Sequence, residues 1–326
     1  MKSPKRLHPR RLLWLTVAVL LAAAVETSNQ PYAALRIEDK NPKPESRFTK
    51  LDRARIHYVN YGKGDEALVL IHGWTQNADA WRDNISAFAQ RNRVVVMELP
   101  GHGQSDKPAK QNAESQGAAR YGGSDDARGP LYSMDHFARA VEAVMRDAKV
   151  KRAVLVGHSM GTPVARQFYR KYPSKTLAIV IVDGALRPFF DQSVMDGLLA
   201  GLRGPKPQDA IAQMLGMLMG SGLTAETQER IKASTANTPQ HVFVGAMEGM
   251  ADSLIWGDDE INVPVLAIMA KSPLFPPNIE QGYRSLAPKV DFQMWEGVGH
   301  FIMMEKPKEF NAALLAWLDK HKLLKK

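Results

Sequence analysis

Ala153-Val154-Leu155-Val156-Gly157-His158-Ser159-Met160-Gly161-Thr162-Pro163-Val164-Ala165-Arg166-Gln167-Phe168-Tyr169 is the stretch that decides the fold. Its first four residues are an apolar run that reads as a buried strand, and from Thr162 onward the pattern is helical. Between them lies Gly157-His158-Ser159-Met160-Gly161, a Gly-x-Ser-x-Gly pentapeptide. Strand, tight turn and helix with a serine at the apex make a nucleophile elbow. Ser159 then sits on a strained turn, and the two glycines let strand and helix crowd past it. The competing reading is an ordinary turn that happens to hold a serine. The flanking strand and helix are what separate the two.

Outward from the elbow, apolar runs and amphipathic stretches alternate. Residues 47–51 and 56–61 read as a hairpin turning at Asp52-Arg53. Buried strands are expected at 67–71, 93–99, 153–156, 177–182, 265–269 and 292–295, and helices at 79–90, 133–148 and 162–172. Such alternation implies an α/β protein with a mostly parallel eight-stranded sheet flanked by helices, the hairpin forming an antiparallel edge. Two segments interrupt it. Residues 107–130 are polar and without period, which reads as a disordered loop. Residues 187–261 carry helical patterns at 193–201, 208–219, 225–233 and 239–253 with no strand between, and read as an inserted helical cap. The α/β core then comprises 47–186 and 262–326. Residues 25–46, with Pro31, Pro42 and Pro44, read as a linker or extended arm.

The start of the chain is a separate matter. Lys2, Lys5, Arg6, Arg10 and Arg11 precede the apolar segment 12–21, and Ala22-Ala23-Ala24 supplies small residues for cleavage. Residues 1–24 therefore read as an export signal, which implies a periplasmic or secreted protein. Left uncleaved, the same segment would tether the chain to a membrane, although it is short for a spanning helix. Without those five basic residues the net charge falls from +9 to +4, which gives little reason to expect nucleic acid as a partner. The absence of cysteine excludes disulfides, thiolate metal sites and a cysteine nucleophile.

Four motifs in order carry a resemblance to the α/β-hydrolases. They are His72-Gly73-Trp74, the run Glu98-Leu99-Pro100-Gly101-His102-Gly103-Gln104-Ser105-Asp106, the elbow, and Gly297-Val298-Gly299-His300-Phe301. Together they frame residues 47–320. The resemblance implies a serine hydrolase in which His300 takes the proton of Ser159, since a hydroxyl is a poor nucleophile until a base does so. It also implies an oxyanion hole made by the backbone N–H groups of Met160 and Trp74. His72, His102 and His158 read as structural residues that hydrogen-bond loop backbone. Their scatter shows no metal-ligand spacing, and no phosphate loop or dinucleotide fingerprint is present, so no cofactor is implied.

The third member departs from the pattern. Relatives often carry an aspartate after the strand corresponding to 265–269, where this chain has Ser272 between matching prolines. Some members place the acid one strand earlier, which here is Asp183. The alternatives are Asp258, Asp259, Glu260, Asp291 or no acid at all.

The expected cap holds Met195, Met214, Met217, Met219, Met247 and Met250, with Met303 and Met304 beyond His300. Methionine adapts its shape, so a wide apolar pocket competes with ordinary core filling as the reading. The expected partner is a small to medium, mainly apolar ester. Carbon–carbon bond hydrolases, lactonases, amidases, cofactor-free perhydrolases and a non-catalytic ligand-binding protein remain as alternatives.

Overall fold

The computed structural model describes residues 42–52, 54–109, 130–188, 190–273 and 275–324. The expected export signal lies outside them, as do residues 25–41 of the expected arm and 110–129 of the expected loop.

Eight strands form one sheet: β1 (Pro44–Leu51), β2 (Ala54–Tyr61), β3 (Glu66–Ile71), β4 (Val94–Met97), β5 (Arg152–His158), β6 (Thr176–Val182), β7 (Val265–Ala270) and β8 (Val290–Trp295). Their spatial order is β1-β2-β4-β3-β5-β6-β7-β8. β1, β2 and β4 pair antiparallel, and every later pair is parallel. The hairpin is thus the antiparallel edge. It starts earlier than the sequence suggests: Pro44, Glu45 and Ser46 pair with Tyr61, Asn60 and Val59. A proline is tolerated there because it opens an edge strand, where its missing N–H breaks no inner ladder.

The apolar runs are continuous because both faces of the sheet are covered. Side chains alternate across each strand. Leu68, Leu70, Val94, Val96, Val154 and Val156 face a core with Trp81, Phe88 and Phe310. Val69, Ile71, Val95, Met97 and Leu155 face the opposite core with Phe137, Val141, Val164 and Phe168. The helices that cover these faces are α1 (Arg82–Ala89), α2 (Met134–Asp147) and α3 (Gly161–Lys171).

Between β6 and β7 run α4 (Gln192–Arg203), α5 (Pro207–Leu218), α6 (Ala225–Ala236) and α7 (Gln240–Ala251). Arg166 of α3 holds the two ends of this insertion together. Its guanidinium is buried and donates to the Leu186 carbonyl at 2.6 Å and to the Gly257 carbonyl. Burial pulls its pKa down to about 10, still well above neutrality, so the charge stays on. After β7 come α8 (Ile279–Leu286), α9 (Ile302–Glu305) and α10 (Pro307–Lys320). Among the described residues no helix is long and apolar enough to cross a membrane.

Candidate active site

The turn after β5 lifts Ser159 to the carboxyl edge of the sheet, where open α/β sheets gather their sites. Its φ is +52°, an uncommon value for a side-chain-bearing residue. The surroundings hold it there: the Ser159 N–H donates to Val182 O at 3.0 Å, and Ser159 O accepts from Thr162 N at 2.9 Å. A Cβ on Gly161 would lie 2.5 Å from Ile71 O, so only glycine lets α3 leave the elbow so close to β3. A Cβ on Gly73 would lie 3.0 Å from the Ser159 Cβ, which puts the His72-Gly73-Trp74 loop directly against the serine.

Asp183 directly follows β6, at φ +45°, and is 2% exposed. Its Oδ1 accepts from Ala270 N–H at 2.7 Å, and its Oδ2 lies 2.6 Å from His300 Nδ1. This carboxylate therefore fixes which ring nitrogen of His300 carries the proton. Nδ1–H faces Asp183, and the Nε2 lone pair is left for a hydroxyl proton. The other acids are engaged elsewhere. Asp258 pairs with Arg187, Asp259 with Arg170, and Asp291 accepts from Trp317, Lys320 and His321. Glu260 is exposed. Ser272 reaches the cavity wall but brings no carboxylate.

His300 follows β8 on a loop moored at two points. Its own N–H donates to Leu218 O, at the end of α5, at 3.0 Å. The preceding Gly299 N–H donates to Glu305 Oε1 at 2.9 Å.

Of the two expected oxyanion donors, Met160 opens α3 directly after the serine. Trp74 lies on the loop that Gly73 brings alongside. Its indole donates to Phe243 O of α7 at 2.9 Å, so the side chain both lines the cavity and ties the loop to the inserted helices.

His72, His102 and His158 bond loop carbonyls. His72 Nδ1 donates to Gly73 O at 2.8 Å while its Nε2 accepts from Leu99 N–H at 3.0 Å. His102 Nδ1 donates to Pro100 O and His158 Nε2 to His300 O, each at 3.0 Å. Burial lowers the pKa of His72 to about 4 and of His102 to about 3, and pushes His158 well below 6.5. These rings stay neutral in the folded chain, while the unfolded chain takes up protons near pH 6.5. The stability they contribute is present above that pH and is lost as pH falls through it toward 4. Each histidine then costs up to about 1.4 kcal/mol per pH unit. Denaturant midpoints measured between pH 7.5 and 5 are expected to fall steadily below 6.5. A flat midpoint over that range would contradict neutral burial.

Ser159, Asp183 and His300 share one cavity of about 640 Å³. Met195, Met214, Met217, Met219, Met247 and Met250 all line it. Met303 and Met304 do not: they are buried in the core around Phe310, because α9 turns them toward the sheet. The cavity's one cation among the described residues is Lys271, which is exposed and paired with Glu296 at 2.8 Å. Gln76, a buried amide on the same wall, has no sequence signal that singles it out.

Comparison with known proteins supplies the fold family. The chain is 27% identical over 293 residues to a 2-hydroxy-6-oxononadienedioate/2-hydroxy-6-oxononatrienedioate hydrolase of Paraburkholderia phymatum, covering 81% of this chain and 91% of that one. Among solved structures it is similar to Est816, an N-acyl homoserine lactone degrading enzyme (25% identity, TM-score 0.67, 83% and 100% covered). An esterase from Exiguobacterium antarcticum shares the fold at 17% identity, with a TM-score of 0.71 and 84% and 100% covered. The family model described as the alpha/beta hydrolase fold matches residues 66–307, from the first residue of β3 to the first of α10. By that match, this chain belongs to the α/β-hydrolase fold family.

Proposed function

We propose that the chain is an exported serine hydrolase that cleaves a small to medium, mainly apolar, uncharged ester through an acyl-enzyme. The observation that carries this is the 2.6 Å contact of Asp183 Oδ2 with His300 Nδ1, in an apolar cavity shared with Ser159. His300 Nε2 takes the Ser159 Oγ proton as Oγ attacks the acyl carbon. The backbone N–H groups of Met160 and Trp74 receive the negative oxygen that develops. The imidazolium, stabilised by Asp183, passes the proton to the departing alkoxide, and the acyl group stays on Ser159. Water then attacks the acyl carbon, loses a proton to His300, and releases the acid with Oγ reprotonated. Helices α4–α7 act as the cap, and α4, α5 and α7 supply the acyl or alcohol pocket. Export rests on the basic-then-apolar start of the chain.

The relatives named for 2-hydroxy-6-oxononadienedioate act on a dicarboxylate. Burying two carboxylates needs fixed cations or many donors. Lys271 is exposed and already paired, so the methionine-lined wall favours an uncharged acyl compound. A panel of p-nitrophenyl butyrate and hexanoate, an aliphatic lactone and a 2-hydroxy-6-oxo dienoate tests the reading. The highest kcat/KM is expected on an ester. Preference for the dienoate over every ester would replace the ester reading with carbon–carbon bond cleavage.

A further inference from the structure

Gln76 is 3% exposed, stands two residues beyond Trp74 and lines the cavity that holds Ser159 and His300. Its backbone is committed, the N–H donating to Gly73 O at 3.2 Å. Its side-chain amide offers two donor hydrogens and an acceptor oxygen. It makes no hydrogen bond with any described residue. Its loop neighbours differ. Trp74 Nε1 donates to Phe243 O, Thr75 Oγ1 meets Thr235 Oγ1 at 3.0 Å, and Asn77 Oδ1 accepts from Asp79 N–H at 2.9 Å. A second amide lining the cavity, Gln192, is bonded to Asp196. Buried polar groups are rarely left without a partner, and such a group facing a cavity is satisfied by what fills the cavity.

We propose that Gln76 is a specificity-determining residue that hydrogen-bonds an uncharged polar substituent of the substrate, a hydroxyl, keto or amide group a few bonds from the reacting carbonyl. This rests on the serine hydrolase reading above. The position follows from the loop: on that reading Trp74 N–H receives the carbonyl oxygen, and Gln76 is two residues further on. The neutrality follows from the wall, which is methionine-rich and has no unpaired cation among its described residues. The substrate class is therefore an acyl ester or lactone with a neutral hydrogen-bonding group near the scissile carbonyl and an apolar chain beyond it.

The test compares p-nitrophenyl hexanoate with its 3-hydroxy and 3-oxo analogues in wild type and in Gln76→Met, which conserves length and volume but removes the amide. The readout is the ratio of kcat/KM, substituted over plain, each corrected for the spontaneous rate. Labelling of Ser159 by a fluorophosphonate is measured in parallel. Wild type is expected to favour at least one substituted ester by about ten-fold or more, because the plain ester leaves a buried amide unpaired. In Gln76→Met that ratio is expected to fall to about one with labelling retained. With labelling intact, a wild-type ratio near one, or the same ratio in both proteins, overturns the role of Gln76 alone. A folded wild type that resists the probe overturns the hydrolase reading and this inference with it.

Discussion

Ser159→Ala is expected to abolish labelling by a fluorophosphonate and to lower turnover of p-nitrophenyl butyrate by about 10⁵-fold to 10⁶-fold. Of the hydroxyls nearby, Thr75 Oγ1 meets Thr235 Oγ1 at 3.0 Å. The neighbouring Thr162 Oγ1 is committed to Gly157 O at 3.1 Å. The residual rate comes from the oxyanion donors and from binding, which the substitution leaves in place. The variant should fold, because alanine removes one atom and Ser159 is held by backbone contacts through its N–H and C=O. Undiminished labelling in a folded Ser159→Ala protein would move the nucleophile elsewhere in the cavity.

Asp183→Asn should lower kcat by about 10⁴-fold, with a much smaller change in KM. The reason lies in the two partners of the carboxylate. Ala270 N–H donates to Oδ1, so an asparagine must place its carbonyl oxygen there. Its NH₂ then takes the place of Oδ2 and faces His300 Nδ1. A donor in that position forces Nδ1 to accept, which puts the ring proton on Nε2. The base would then present a proton to Ser159 where a lone pair is needed. Asparagine tolerates the positive φ at this position, so the loss should appear in chemistry rather than in folding. Asp258→Asn is the control. That carboxylate is exposed and paired with Arg187, and its replacement should change kcat less than two-fold or so. Near-wild-type kcat in Asp183→Asn would remove Asp183 from the site.

The sheet was legible because a strand covered on both faces reads as an unbroken apolar run, as at Leu68–Leu70 and Val94–Val96. The elbow was legible because its glycines answer local sterics that act within a few residues. Asp183 could be inferred only indirectly, from the serine standing where relatives carry an acid. Nothing within five residues of Asp183 reveals that Ala270 N–H fixes one oxygen and His300 the other, since both contacts join segments about ninety or more residues apart. Pro44–Ser46 reads as part of the arm because proline suggests a break, yet the ladder with β2 accommodates it at the strand's start. Met303 and Met304 look no different in sequence from the cavity methionines; only the facing of α9 separates them. Gln76 carried no signal, because an unpaired amide is a property of its surroundings.

The hydrogen bond from His300 N–H to Leu218 O bears on how freely the segment between β6 and β7 can be exchanged. Swapping that insertion for one from another enzyme would look like a change of pocket alone. It would also withdraw a carbonyl on which the histidine loop rests. A transplant that varies the methionines but keeps an acceptor at position 218 preserves the footing of the His300 loop. One that moves the end of α5 redraws the pocket and that loop together.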